Sequence, residues 1–434
     1  MLDIRLIRED PERIRALVAT KNINAPIDEI LQLDERRRSM IGEVETFKAQ
    51  RNEGSKLVGR TRDADERQTL IGQMKDLGDR ISLLDDHVRA TDEHLRELLL
   101  GVPNIPDEDV PVGPDEAANE VVFERGAKRE FDFEPKPHWD LAEDLGIIDF
   151  ERGVKVAGTR GYMLRGDGSR LQRALIAWML DVHARRHGYS EISPPYMVLG
   201  EMLVGTGSLP KFADTLYHDH QDDKWLIPTA EVPITNMYRD EILDEKMLPI
   251  YHVAATACFR REQISGGRDV RGIKRVLQFD KVEMVKFVHP DQADEELQQL
   301  MDEAFYIVEQ LELPYRLLNL STGDMTFSSA HTYDIETWAP GSGEWLEISS
   351  CSLFRDYQAR RINLRFRSEE TGRTQFLNTL NGSGLALPRT MIAIIENYQR
   401  ADGTIDVPAV LQPYLGGQQM IGVQPPPGPS HHLA

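Results

Sequence analysis

The chain has 434 residues, of which 40% are hydrophobic and 28% charged, a length that allows two or three domains and a composition typical of soluble globular proteins. Its 51 basic and 72 acidic residues give a net charge of −21, which argues against a DNA partner or a general nucleic-acid coat protein and leaves only local basic patches for RNA contacts. Two cysteines far apart in sequence predict neither a disulfide framework nor a cysteine zinc site. The sequence shows no signal peptide and no membrane-spanning apolar run, so we expect a cytoplasmic protein with no membrane partner.

The first hundred residues predict helices. Asp10 suits a helix N-cap and Pro11 the first helical position. Farther along, side chains at alternating spacings of four and three form a heptad seam, which is typical of a coiled coil. The seam consists of Leu70, Met74, Leu77, Ile81, Leu84, Val88, Thr91, Leu95 and Leu98. A weaker seam precedes it and the polar residues 59–66 predict a turn, so we expect residues 28–100 to form two antiparallel helices as a rod roughly 50 Å long.

A rod of this kind is as consistent with a spacer or dimerisation device as with an RNA-binding arm. Basic residues gather near its tip, although four acidic residues dilute them. The basic residues are Lys48, Arg51, Lys56, Arg60, Arg62 and Arg67. Phosphate contacts through these side chains would make RNA binding sensitive to salt.

A linker is predicted after the rod, because residues 101–119 contain four prolines and several acidic residues. We therefore divide the chain into an N-terminal domain (1–105), a linker (106–120), a main domain (121–417) and a mobile tail (418–434). Within the main domain, residues 170–187 predict an amphipathic helix that Gly188 ends, followed by a short strand and two prolines.

The stretch from Cys258 to Phe287 predicts two strands joined by a charged, glycine-bearing loop over residues 263–272. Side chains alternate between the faces of a strand, so Arg275 and Glu283 share a face of the second strand, roughly 26 Å apart. Such a face could hold an anion at one end and an ammonium group at the other. The alternative is an ordinary solvated hairpin.

The sequence has neither a Walker A loop nor a dinucleotide-binding glycine motif, so any nucleotide must bind through a different motif. The glycine-bearing residues 205–212 lack both spacings. Residues 381–398, NGSGLALPRTMIAIIENY, are a better candidate, because Pro388 suits the start of a helix and Arg389 then lies in its first turn. The helix dipole disfavours a cation there unless an anion binds nearby, which predicts a phosphate site. The alternative is an arginine that faces solvent.

Residues 260–283 contain Arg-Arg-Glu, a loop, and then Arg-Val-x-Gln-Phe-Asp-Lys-Val-Glu. This pattern resembles motif 2 of the class II aminoacyl-tRNA synthetases, and is most similar to bacterial-type seryl-tRNA synthetases. Residues 170–195 resemble motif 1 of that family and residues 381–398 resemble motif 3. The resemblance extends to about Gly417. It implies an α+β fold, with an antiparallel-sheet class II catalytic domain preceded by an antiparallel coiled-coil arm.

The resemblance implies a homodimer whose substrates are ATP, L-serine and tRNA(Ser); it leaves open whether tRNA(Sec) is also charged. It assigns catalytic roles to Arg260, Arg275 and Arg389. The implied ATP-binding residues are Arg260, Arg261, Glu262, Glu347, Ile348, Ser349, Ser350 and Arg389. Magnesium is implied at Glu347 and Ser350, whose oxygen ligands suit a hard cation. Positions three apart point to opposite faces of a regular strand, so we expect a bulge or bend between these two residues.

The implied serine-binding residues are Thr229, Ala230, Glu231, Glu283 and Ser383. Glu283 would bind the substrate ammonium group as an unpaired carboxylate, whereas Thr229 could equally be a helix N-cap. No zinc is expected for amino-acid selection, because the sequence has no cysteine–histidine cluster. Two positions depart from the family pattern with consequences left open: Leu277 replaces a common histidine, and Ser208 replaces a common glutamine.

Two other functions compete with the synthetase interpretation. One is a synthetase-like paralogue that loads a carrier protein, which would not need an intact arm. The other is a non-catalytic coiled-coil interaction protein, which would require neither arginine motif. The presence of the arm, both arginine motifs and Glu283 favours a serine–tRNA ligase.

Overall fold

The computed structural model describes residues 1–262 and 271–424. The chain forms two compact units, Met1–Pro103 and Asn104–Ala434. The helices are α1 (Ile4–Glu9), α2 (Pro11–Thr20), α3 (Ile27–Arg60), α4 (Ala64–Leu100), α5 (His138–Leu145), α6 (Phe150–Ala157), α7 (Asp167–Arg185), α8 (Gly200–Thr206), α9 (Glu231–Thr235), α10 (Ala293–Gln310), α11 (Tyr357–Arg361) and α12 (Leu387–Asn397).

The strands of the second unit include both long central strands and short two- or three-residue pairs. They are β1 (Glu120–Arg125), β2 (Ile148–Asp149), β3 (Met163–Leu164), β4 (Ser190–Glu191), β5 (Met197–Leu199), β6 (His218–Asp219), β7 (Lys224–Leu226), β8 (Ile242–Asp244), β9 (Ile250–Phe259), β10 (Gln278–Val288), β11 (Tyr315–Asn319), β12 (His331–Ala339), β13 (Glu344–Leu353), β14 (Arg365–Arg367), β15 (Thr374–Phe376), β16 (Asn378–Ala386), β17 (Ile405–Asp406) and β18 (Met420–Ile421).

The first unit is built on two long helices, α3 and α4, joined by a turn of three residues. All nine seam positions between Leu70 and Leu98 are buried or half-buried, which confirms the predicted arm. The turn is shorter than predicted because α3 continues to Arg60 and Asp63 caps α4, accepting a hydrogen bond of 2.9 Å from the amide of Glu66. On α3, Arg37 interrupts the weaker seam and forms an ion pair with Asp92 on α4.

An eight-stranded sheet forms the centre of the second unit, in the order β1-β11-β12-β13-β16-β10-β9-β4. All neighbouring strands are antiparallel except β4, which runs parallel to β9. Apolar residues of the sheet, α7, α10 and α12 form one buried core. The predicted α+β class is therefore confirmed. Among the described residues, no helix is long and apolar enough to cross a membrane.

Most of the residues predicted as a linker lie against the second unit rather than between units. The side-chain amide of Asn104 donates hydrogen bonds to the carbonyls of Ser328 and Phe354, at 3.0 and 2.9 Å. Val110 is buried in a small apolar cluster with residues of β11 and the segment after it. Proline and acidic residues indicated irregular backbone correctly, but these contacts hold that backbone on the sheet domain.

Candidate active site

A cavity of about 770 Å³ opens within the second unit, lined by residues between positions 206 and 389. Many of its lining residues were predicted from motifs in three separate parts of the chain. The predicted residues that line it are Thr229, Glu231, Arg260, Arg261, Glu262, Arg275, Glu283, Glu347, Ser350, Ser383 and Arg389. The glycine-bearing loop contributes Gly207, Ser208 and Phe212 to the same cavity.

A bulge in β13 brings the two predicted metal ligands to the same wall. Ile335 of β12 lies opposite Ser349, whereas the next residue of β12 lies opposite Glu347, so Ile348 is an extra residue in the pairing. Glu347 and Ser350 both line the cavity as a result. The predicted irregularity between them is confirmed.

Three predicted residues direct their side chains away from the cavity. Ile348 is fully buried in the main core, and Ala230 is fully buried in a second apolar cluster. Ser349 donates a hydrogen bond of 2.6 Å to the carbonyl of Ser383. These residues can contribute only backbone groups to a ligand, because their side chains are committed to packing or to the sheet.

Asp334 completes an acidic corner with Glu347 and Ser350 that no sequence pattern indicated. It lies opposite Ser350 in the pairing of β12 with β13, and its Oδ1 is buried without a hydrogen-bond partner among the described residues. Burial, together with the charge of Glu347, raises the pKa of Asp334 well above its usual range. Only the strand register reveals that this aspartate adjoins the other two residues.

Arg389 lies in the first turn of α12, as predicted, but it does not face solvent. Its Nη1 lies 2.9 Å from both the carbonyl oxygen and Oε2 of Glu347, and 21% of its side chain is exposed. Burial alone would raise the pKa of Glu347, but the guanidinium of Arg389 outweighs it and the pKa is lowered. Because Arg389 is mostly buried and paired with Glu347, the alternative of an arginine that faces solvent is wrong. Pro388 is the second helical residue, because α12 begins at Leu387.

The two motif 2 arginines occupy different positions from those expected on regular strands. Arg260 follows β9, places its guanidinium 5.2 Å from the ring centre of Phe279, and donates a hydrogen bond of 3.3 Å from Nε to the carbonyl of Pro228. Arg275 lies before β10, which begins at Gln278, so the prediction that Arg275 and Glu283 share one regular strand is wrong. Its Nη1 lies 3.6 Å from Glu262. Most of the predicted loop, residues 263–270, lies outside the described residues.

Glu283 is buried, with 2% of the residue exposed, but it is not the unpaired carboxylate that the sequence suggested. Lys281, two residues earlier on the same face of β10, forms an ion pair with it. The alternation that placed Glu283 on the cavity face also applies to Lys281, so the sequence contained the signal for this pair. The lysine offsets the cost of burying the carboxylate.

Glu231 is a second carboxylate in this part of the cavity. Burial and, secondarily, the charge of Glu283 raise the pKa of Glu231 to about 7. Gln358 donates a hydrogen bond of 2.6 Å to its Oε1. Thr229 accepts a hydrogen bond of 3.3 Å from the amide of Glu231, but the N-cap of α9 is Ala230, so the N-cap alternative for Thr229 is wrong by one residue.

Four of the six predicted arm residues are exposed around the turn between α3 and α4, namely Lys56, Arg60, Arg62 and Arg67. Lys48 lies 3.3 Å from a carboxylate oxygen of Asp85 on the other helix. Arg51 is half-buried between the helices. Four exposed basic side chains therefore lie around the turn at the tip of the arm.

Comparison with known proteins gives matches over nearly the whole chain. Residues 1–106 match the family model of the seryl-tRNA synthetase N-terminal domain, and residues 213–398 match that of the class II tRNA synthetase core domain (G, H, P, S and T). A serine–tRNA ligase of Thermomicrobium roseum is 62% identical over 98% of this chain and 96% of its own length. The chain belongs to the seryl-tRNA synthetase family.

Other members of the seryl-tRNA synthetase family agree in sequence and in structure. The serine–tRNA ligase of Herpetosiphon aurantiacus is 55% identical over 97% of this chain and 100% of its own. The crystal structure of the seryl-tRNA synthetase from Pyrococcus horikoshii complexed with ATP has a TM-score of 0.91 at 35% identity, covering 98% of this chain and 100% of that one. The predicted family, fold class and enzyme class are confirmed.

The raised pKa of Glu231 predicts a dependence of stability on pH. Between about pH 4.5 and 7 the folded chain holds a proton on Glu231 that the unfolded chain has released. The free energy of unfolding contributed by this group is therefore full below pH 4.5 and is lost as pH rises through 7. We expect Glu231→Gln to gain stability over the parent by about 2 kcal/mol between pH 5 and 8, measured by urea unfolding without substrates.

The control for this measurement is Glu241→Gln, at an exposed position ten residues away. Its stability difference from the parent should stay constant over the same pH range. An equally constant difference for Glu231→Gln would contradict the raised pKa.

Proposed function

We propose that this chain activates L-serine with ATP to form seryl-adenylate and then transfers the seryl group to tRNA(Ser). The observation that carries the proposal is a single cavity lined by Arg260 and Arg389, which suit phosphates, and by Glu231 and Glu283, which suit an ammonium group. The relatives named above support it, because they are serine–tRNA ligases over their whole length and one is complexed with ATP.

The first step needs no general base, because the carboxylate of serine is already ionised at neutral pH. A carboxylate oxygen attacks the α-phosphorus of ATP in line, a new P–O bond forms, and the bond to pyrophosphate breaks. Arg260 and Arg389 stabilise the negative charge that spreads over the phosphate oxygens. In the second step, the 3′-hydroxyl of the terminal tRNA ribose attacks the activated carbonyl and AMP leaves.

Charge balance supports the binding of serine through its ammonium group. Glu231 and Glu283 lie near one lysine, Lys281, which forms an ion pair with Glu283, so a second cation beside Glu231 would lower its raised pKa and favour its carboxylate form. The substrate ammonium supplies a matching positive charge. The hydroxyl of Ser383 lines the same cavity and could hydrogen-bond the serine side chain, which would favour serine over analogues without a hydroxyl.

The oxygen-rich corner fits a magnesium ion. Glu347 and Ser350 would hold it, with the buried and unpartnered Oδ1 of Asp334 beside them. When bound, the ion supplies positive charge to the phosphate oxygens of ATP. Arg389 pairs with Glu347 at this corner. The arginine that would bind the phosphates of ATP therefore lies beside the residues that would hold the magnesium ion.

We further infer that the arm binds tRNA phosphates through its tip and that the enzyme acts as a cytoplasmic homodimer. The exposed basic residues at the turn support tRNA binding, because the net charge of −21 cannot attract RNA generally. The resemblance of residues 170–195 to motif 1 supports the dimer.

ATP–pyrophosphate exchange with each of the twenty amino acids tests the proposed activation. We expect serine alone to support rapid exchange, and serylation of tRNA(Ser) to require both ATP and serine. Exchange that is fastest with another amino acid would refute the assignment of serine. Normal exchange without transfer to tRNA would favour the paralogue that loads a carrier.

Glu283→Gln should raise the KM for serine about 30- to 100-fold in the exchange assay, with less than a threefold change in the KM for ATP. The reason is that a hydrogen bond between a buried carboxylate and an ammonium contributes on the order of 2–3 kcal/mol. Glu241→Gln serves as the exposed control. An unchanged KM for serine in a variant with the parent melting temperature would show that Glu283 does not bind the amino acid.

Replacing Lys56, Arg60, Arg62 and Arg67 together by glutamine should leave serine-dependent exchange unchanged and lower kcat/KM for tRNA at least 10-fold. Each lost phosphate contact should also flatten the plot of log kcat/KM against log salt by about one. The measurement is tRNA serylation at several salt concentrations.

A matched quadruple variant controls for the loss of four positive charges. It replaces exposed arginines farther from the turn, namely Arg36, Arg80, Arg89 and Arg96. If both quadruple variants lower serylation equally, general charge rather than the tip explains the effect. If neither does, the rod is a spacer or assembly element.

A further inference from the structure

A group of metal-ligating side chains lies outside the cavity, where the segment after the arm meets the sheet. One ligand atom each from Asp107, Asp109 and His331 lies within 4.8 Å of the other two. The amide of Asp107 also donates a hydrogen bond of 2.9 Å to the carbonyl of Ala330. Backbone pairing therefore holds the aspartate segment beside the start of β12.

The hydrogen bonds around His331 direct a lone pair toward this group. His331 is buried, with 4% exposed, and its Nε2 lies 2.9 Å from Oδ1 of Asn319. The side-chain amide of Asn319 donates to the carbonyl of Asp109, which assigns its oxygen to the side facing the imidazole. Nε2 therefore carries the hydrogen, and Nδ1 presents its lone pair 3.5 Å from a carboxylate oxygen of Asp109.

Two groups with lone pairs that face each other repel, and a cation bound between them would remove that repulsion. The 3.5 Å between Nδ1 and the carboxylate oxygen of Asp109 is longer than the roughly 2.7–2.9 Å of a charge-assisted hydrogen bond, so a proton does not bridge them. The histidine arrangement matches a common feature of metal sites, in which the second ring nitrogen of a ligand donates to an oxygen that fixes the ring.

The formal charges around the group also leave an excess of two negative charges. Arg355 lies 2.8 Å from Asp107 and 2.6 Å from Asp294. Together with Asp109, three carboxylates therefore share one guanidinium. A divalent cation would balance this excess, and one imidazole nitrogen with two carboxylate oxygens suits Zn²⁺ or Mn²⁺ better than Mg²⁺.

We propose that Asp107, Asp109 and His331 form a structural divalent-cation site separate from Glu347 and Ser350. The cation fastens the segment that follows the arm to β12. This segment also supports the cavity wall, because Asn104 bonds to the carbonyls of Ser328 and Phe354, both of which line the cavity.

Equilibrium dialysis of the chelator-treated, full-length protein against ZnCl₂ and, separately, MnCl₂ tests the site. We expect Asp109→Asn and His331→Gln each to weaken binding of one metal ion per chain at least 10-fold. Asp109→Asn is the decisive variant, because 73% of the aspartate side chain is exposed and its replacement should not disturb folding. His431 and His432 are present in every variant, so any zinc that they bind is a constant background.

Two controls separate this site from other carboxylates. Asp222→Asn changes an exposed aspartate elsewhere, and Glu347→Gln changes the acidic corner of the cavity; both should retain the metal ion. The same metals should raise the melting temperature of the parent and of Asp222→Asn but not that of Asp109→Asn. Equal binding by the parent and Asp109→Asn, or no binding at millimolar metal, would overturn the proposal.

Discussion

The bulge at Ile348 turns Glu347 and Ser350 to the same face of the sheet, and the geometry of the cavity depends on it. In a regular strand one of these side chains would point into the core. The bulge also sets Glu347 against Arg389 in the first turn of α12. One extra residue in β13 thus places the carboxylate of Glu347 beside the guanidinium of Arg389. The resulting corner contains the oxygen and guanidinium groups that suit a metal ion and the phosphates of a nucleotide.

Ion pairs within the protein hold the charged groups of the cavity in place. Arg389 pairs with Glu347, and Lys281 pairs with Glu283. Each pair offsets the desolvation that an isolated buried charge would suffer. Substrates that carry both signs of charge can therefore enter a site whose side chains are already oriented, so little free energy is needed to order them.

Local patterns predicted much of the molecule, and strand register supplied the rest. The spacing of Leu70 to Leu98 predicted the arm because a heptad repeat is a property of one segment. Alternation along β10 correctly placed Glu283, but it could not show where the strand begins, which is why Arg275 was misplaced. Asp334 was missed because its relation to Ser350 depends on the pairing of two strands. His331 lies more than two hundred residues from Asp107, so their cluster has neither the cysteines nor the close spacing by which a metal motif is recognised in a sequence.

Among the described residues, all those that line the cavity belong to the unit that begins at Asn104. Substitutions in α3 and α4 can therefore accumulate without altering the groups that line it. If the arm binds tRNA as proposed, its sequence can change with the shape of that RNA while the residues of the cavity remain under separate selection. The peptide bond between Pro103 and Asn104 is accordingly a natural junction for recombining the arm of one enzyme with the sheet domain of another.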